Sequence, residues 1–150
     1  MTDASPFHGE LPTTLDDIVR RNRHVLEIGL ATASELAAVS GDVDTKGTPR
    51  ARIESWHLIA LRHRMLGRTT VHMLGHVRQA PWITSYVAVL AHDHSRVRTK
   101  NSLYKLRAED HGEPGLILIF LVAATLRRWG LDDRYDLGVM PIPPHFAPPP

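Results

Sequence analysis

Between residues 53 and 107 the chain carries four runs rich in branched and aromatic residues: Ile53–Leu61, Met65–Leu74, Ile83–His92 and Arg96–Arg107. Only short breaks part them, at Arg62–Arg64, Gly75–Pro81 and Asp93–Ser95. Such side chains favour the pleated, half-buried surface of a sheet. Connections this short join antiparallel neighbours, because parallel ones need long crossovers. The pattern predicts a twisted antiparallel sheet over residues 52–107, or a small open β-barrel. Residues 53–65 leave two readings open, since Ile53, Trp56, Ile59, Ala60 and His63 also share one helical face.

The flanks have a different period. Leu15, Ile18, Val19, Val25, Leu26, Gly29 and Leu30 follow helical spacing, and Ala33, Leu36 and Ala37 continue it. Thr13 or Thr14 can cap such a helix, with Asp16 and Asp17 at the positive end of its dipole. Residues 13–40 are therefore expected to form an amphipathic helix, or a helix pair broken near Gly29. The polar GDVDTKGTPR stretch that follows marks a surface loop. Gly115–Leu126 is almost wholly apolar and ends in Arg127, Arg128, Trp129 and Gly130, which predicts a buried helix over 115–129. At about 18 Å it is too short for a hydrocarbon core of about 30 Å, so no membrane role is expected. Residues 1–12 read as a flexible arm, and 139–150, ending in PIPPHFAPPP, as an extended proline-rich tail. The whole is expected to be one α+β domain over residues 13–138.

Charge is distributed unevenly. Residues 1–44 carry a net −5, residues 45–107 a net +10 and residues 108–150 a net −3. A basic middle between acidic ends implies an anionic partner for the middle, or acidic ends folded over it. The absence of cysteine excludes disulfides, thiolate metal sites and cysteine nucleophiles. With no basic-then-apolar leader pattern near the start, a cytoplasmic setting is expected.

A set of residues in the sheet region forms a recognisable pattern. It comprises Trp56-His57-Leu58-Ile59, Met65-Leu66-Gly67-Arg68, His72, Ile83-Thr84-Ser85, Asp93, Arg98-Thr99, Ser102, Tyr104 and Leu106. On these residues, over roughly 15–107, the chain resembles a family of short, functionally uncharacterised alphaproteobacterial proteins. The resemblance implies a Trp-led strand, a Gly-Arg strand ending near a histidine, a Thr-Ser strand and an Arg-Thr strand ending in Tyr-x-Leu. It implies no activity. Two turns depart from the pattern: His72-Met73 stands for the usual His-Pro, and Asp93-His94 for Asp-Pro.

Arg96, Arg98 and Lys100 recur at every second residue, so an extended chain puts them on one face about 6.6–6.8 Å apart. That approaches the phosphate spacing of a nucleic-acid strand. Arg62, Arg64, Arg68 and Arg78 lie in neighbouring runs or turns, and Trp82 and Tyr104 offer stacking faces if exposed. The plain alternative is a solvated sheet face. Among the ten histidines, His72 and His76 lie four apart and His92 and His94 flank an aspartate. Neither pair reaches the three or four converging donors a metal requires, so no metal is expected. There is no nucleophile elbow, Gly-rich phosphate loop or paired-carboxylate spacing, so neither an activity nor a cofactor is indicated. The expectation is a non-catalytic module whose basic sheet face engages nucleic acid or a ribonucleoprotein surface. The alternative is a protein-binding accessory factor or inhibitor, encoded by a mobile element and directed at a host nucleic-acid machine. It would act, or form a homo-oligomer, through Leu116–Leu126 and the aromatic residues.

Overall fold

The computed structural model of the chain describes residues 12–20, 23–44 and 46–130. In chain order come a 3-10 turn at Asp16–Val19, β1 (Leu26–Leu30), α1 (Ala33–Val39), β2 (Ser40–Gly41) and β3 (Ala51–His63). A second 3-10 turn at Arg64–Leu66 leads to β4 (Arg68–Val77), β5 (Ala80–Ala91), β6 (Arg96–Thr99), β7 (Leu103–Leu106) and α2 (Leu116–Arg128). The fold is α+β, as its sequence predicts.

Each of β3 to β7 pairs antiparallel with the next. β7 then returns to the start of β3 and pairs with it in parallel, through Ala51↔Tyr104, Arg52↔Lys105 and Ile53↔Leu106. The pairings thus close a ring. β1 adds antiparallel to the second half of β3, and β2 pairs in parallel with the end of β5. Of the two expected forms, an antiparallel sheet or a small open β-barrel, the strands take a ring, with parallel pairs where β7 meets β3 and β2 meets β5. Its cause is the 13-residue length of β3, which gives β7 its first half and β1 its second.

Of the two readings of residues 53–65 the strand prevails as far as His63, and from Trp56 to Leu61 β3 is buried on both faces. Leu58 and Ala60 point into the ring with Trp56, Val71, Met73, Val87, Leu90, Val97 and Tyr104. Ile59 and Leu61 point outward, beneath Leu15, Ile18, Leu26, Ile28 and the α2 residues Ile119, Val122 and Leu126. A strand covered on both sides has no polar alternation, so its periodicity is ambiguous. Ser55, with φ +50°, sits in the irregularity between Glu54 and His57 that bends the strand between its two roles.

The helical expectation for 13–40 is corrected over Leu26–Leu30. That stretch also alternates, with Leu26 and Ile28 buried and Glu27 and Gly29 half-buried, and pairing along β3 decides between the two periods. The cap chemistry is present: the Asp17 amide donates to Thr14 Oγ1 at 3.2 Å, but it opens only a 3-10 turn. α1 is a true helix with a complete Thr32/Glu35 capping box, and its Leu36 and Val39 pack against the ring interior. α2 matches the expected helix closely but is not buried all round. The fourth run divides into β6 and β7 around Lys100–Ser102. Residues 1–11 of the expected arm, residues 131–138 and the 139–150 tail lie outside the described residues.

Candidate anion-binding face

Register, rather than sequence proximity, assembles the basic side chains. Arg96 on β6 stands opposite Lys105 on β7, and Lys105 stands opposite Arg52 on β3. Registered partners share a sheet face, so three cations line up across three strands spaced about 4.8 Å apart. Opposed like charges destabilise a sheet. Arg52 and Lys105 are exposed and Arg96 is half-buried. Glu54 stands 3.7 Å from both Arg52 and Arg107, and Arg96 lines a second groove with Asp42 and Asp93.

Beside this row lies a groove of about 580 Å³ lined by Arg50, Arg52, Glu54, Arg78 and Trp82. The Arg50 guanidinium sits 5.3 Å from the Trp82 ring centroid, in cation–π range. The Tyr104 ring meets Trp82 edge-on at 6.4 Å. Arg78 and Gln79 form the two-residue turn between β4 and β5, and both hold positive φ, +51° and +70°. Asn-Gly pairs usually occupy such turns, because other residues resist that conformation. Arg50, Arg52 and Arg78 thus share the groove with the carboxylate Glu54, which Arg107 also approaches.

Several expected members lie elsewhere. Arg62 is held by ion pairs to Glu35 (Nε–Oε2, 2.7 Å) and Glu27 (Nη1–Oε1, 2.9 Å) and donates to the Leu30 carbonyl at 3.1 Å. Arg64 pairs with Glu27 at 2.7 Å. Hydrogen bonding from Arg64 and then Arg62 lowers the Glu27 pKa, and Arg62 does the same for Glu35. This corrects the assignment of Arg62 and Arg64 to a partner surface: acidic side chains from the first 44 residues already hold them. Arg68 is exposed opposite His63, at the far end of β3 from Arg52. Arg96 and Arg98 do share the outer face of β6, but Arg98 donates to the carbonyls of Asp44 (3.1 Å) and Lys46 (3.3 Å), which fastens the surface loop. Lys100 is exposed just beyond the strand. Tyr104 is 2% exposed and offers no stacking face, a second correction; it stands opposite the buried Val97 of β6 and turns with it into the ring.

The histidines are dispersed. Among the described residues no three or more His, Asp or Glu side chains gather as a metal site. His72 is wholly buried, and its Nδ1 lies 3.1 Å from the Thr84 carbonyl oxygen. A carbonyl only accepts, so Nδ1 carries the proton and Nε2 accepts from the Thr70 hydroxyl at 3.0 Å. That leaves His72 no lone pair for a metal. His76 is half-buried and His92 exposed, while His94 lies 3.6 Å from Glu109.

Arg50, Arg52, Lys105 and Arg107 escape notice in the sequence. Arg50 and Arg52 repeat the every-second-residue signal of Arg96 and Arg98, but the parallel β3–β7 pairing that sets Lys105 beside them has no local signature. Among the described residues no helix is long and apolar enough to cross a membrane. No protein-family model matches the chain, and no curated protein or solved structure matches it.

Proposed function

We propose that the chain is a non-catalytic binding module that holds the phosphate backbone of a nucleic acid on the face formed by β3, β7 and β6. The observation that carries this reading is the registered row Arg52–Lys105–Arg96, a like-charge arrangement that Glu54 offsets only at the Arg52 end and that a bound anion would relieve. The flanking groove adds Arg50 and Arg78, and its rim is a turn in an unfavourable backbone conformation, a kind of strain that gathers at ligand-binding sites. Arginine and lysine on phosphate release condensed counterions, so affinity falls with salt and carries little base preference. Trp82 is already engaged by Arg50 and Tyr104, so phosphate contacts dominate over base stacking.

Fluorescence anisotropy with labelled single- and double-stranded oligonucleotides tests this. With about four phosphate contacts on a single strand, affinity should fall roughly 50-fold between about 50 and 200 mM salt. The Arg52→Glu/Lys105→Glu variant should lose most binding, while Arg68→Glu, at the other end of β3, should retain it. Equal weakening by both variants, or no binding at low salt, refutes the reading.

A further inference from the structure

Helix α2 is apolar on two sides. Ile119, Val122, Ala123 and Leu126 are buried in the outer core. Leu116, Ile117 and Phe120 nonetheless remain 51%, 66% and 39% exposed. Ile117, Phe120, Ala124 and Arg128 follow at steps of three or four residues, so they form one stripe along the open side. Ala124 and Arg128 are also exposed.

The charges at the ends of this stripe select its occupant. Glu113 is exposed just before the helix, and Arg128 is exposed in its last turn. The Leu15 amide donates to Glu113 Oε1 at 2.9 Å, which fixes that carboxylate at the helix entrance and leaves its second oxygen for another donor. We propose that α2 pairs antiparallel with α2 of a second copy of this chain. With the two-fold axis beside Phe120 and Leu121, Ile117 lies over the partner's Ala124 and Glu113 meets the partner's Arg128. The small Ala124 makes room for Ile117, so the helices can approach to about 8–10 Å. A parallel pair would instead set Arg127 and Arg128 beside their own copies and align the two helix dipoles, whereas the antiparallel pair opposes the dipoles. One 13-residue helix per copy makes a small interface, so the dimer forms in the micromolar range and dissociates on dilution.

Sedimentation velocity on the full chain, over a concentration series from low micromolar to near millimolar, tests the pairing. The expected result is a shift from monomer to dimer across the series. Ile117→Lys, at an exposed position that leaves the core intact, should abolish the shift. Arg128→Glu and Glu113→Lys should each weaken association at least tenfold, and the Glu113→Lys/Arg128→Glu combination should restore it. Circular dichroism of each variant checks that the fold is kept, and Arg128→Glu with Ile117→Lys suffices if Glu113→Lys disturbs the Leu15 contact. A monomer at every concentration, or a dimer indifferent to Ile117→Lys and Arg128→Glu, overturns the proposal. A folded charge-swapped variant that fails to recover the dimer overturns the antiparallel arrangement.

Discussion

Gly75 shows how tightly single residues are constrained where β4 crosses the bend in β3. A Cβ added there would come within 2.7 Å of Ile53 Cγ2, 2.8 Å of the Glu54 carbonyl oxygen and 3.1 Å of Trp56 Cα. Two of those neighbours are backbone and cannot swing away. Gly75→Ala should therefore cost at least about 2 kcal/mol in urea denaturation. Gly115→Ala, whose added methyl meets nothing within 4 Å, should cost less, about 1 kcal/mol for placing alanine at the N-cap of α2. The buried imidazoles give a second prediction. Burial lowers His72 to about 4 from 6.5, and burial together with Arg68 lowers His63 to about 4. The unfolded chain thus binds more protons than the folded one between those values. Stability from these rings is complete above about pH 6.5, is lost as pH falls toward 4, and declines no further below that. For His72 the total is on the order of 3 kcal/mol. A urea midpoint that does not fall across this window would contradict the neutral, buried state of both rings.

The β4–β5 hairpin joins stability to binding at the level of a single element. Replacing Arg78-Gln79 with Asn-Gly would relieve two left-handed residues and remove one groove cation. The expected outcome is a gain of about 1–2 kcal/mol in thermal or chemical denaturation together with weaker oligonucleotide binding. Helix α1 is held differently: none of its residues is buried, and its anchors are the capping box, Leu36, Val39 and the Glu35–Arg62 ion pair. Arg62 is partly exposed, so Arg62→Met should cost only about 1–2 kcal/mol. Amide exchange should rise in α1 before it rises in β4, and uniform acceleration would argue against a local anchor. These elements also show what the sequence reveals. The hairpin strands and α2 were legible because their side chains repeat locally and their breaks are short. β1 was not, because VLEIGL satisfies two periods and only the neighbouring edge of β3 selects one. The candidate face was half legible: Arg96, Arg78 and Trp82 stand out in the chain, while Arg52 and Lys105 become neighbours only through a long-range parallel register.

For the whole molecule, the uneven charge resolves into two arrangements. At one end of β3, acidic side chains of the first segment neutralise Arg62 and Arg64; at the other, the basic side chains of Arg50, Arg52, Arg78 and Arg107 gather near Glu54. This makes Lys105 diagnostic. Lys105→Glu replaces repulsion across the row with attraction to Arg52 and Arg96, so it should raise stability by about 0.5 kcal/mol while weakening nucleic-acid binding. A variant that loses both would make the row a structural device.

Closure of the ring by β7 against the beginning of β3 also has a consequence for biosynthesis. The register partner of Ala51 is Tyr104, so the leading edge of the central strand emerges from the ribosome long before its mate has been translated. The hairpins can assemble as they appear, but that edge stays open until the polypeptide has passed Leu106. In the interval a nascent chain offers an unmatched ladder to any neighbouring polypeptide, and protection arrives with the last strand.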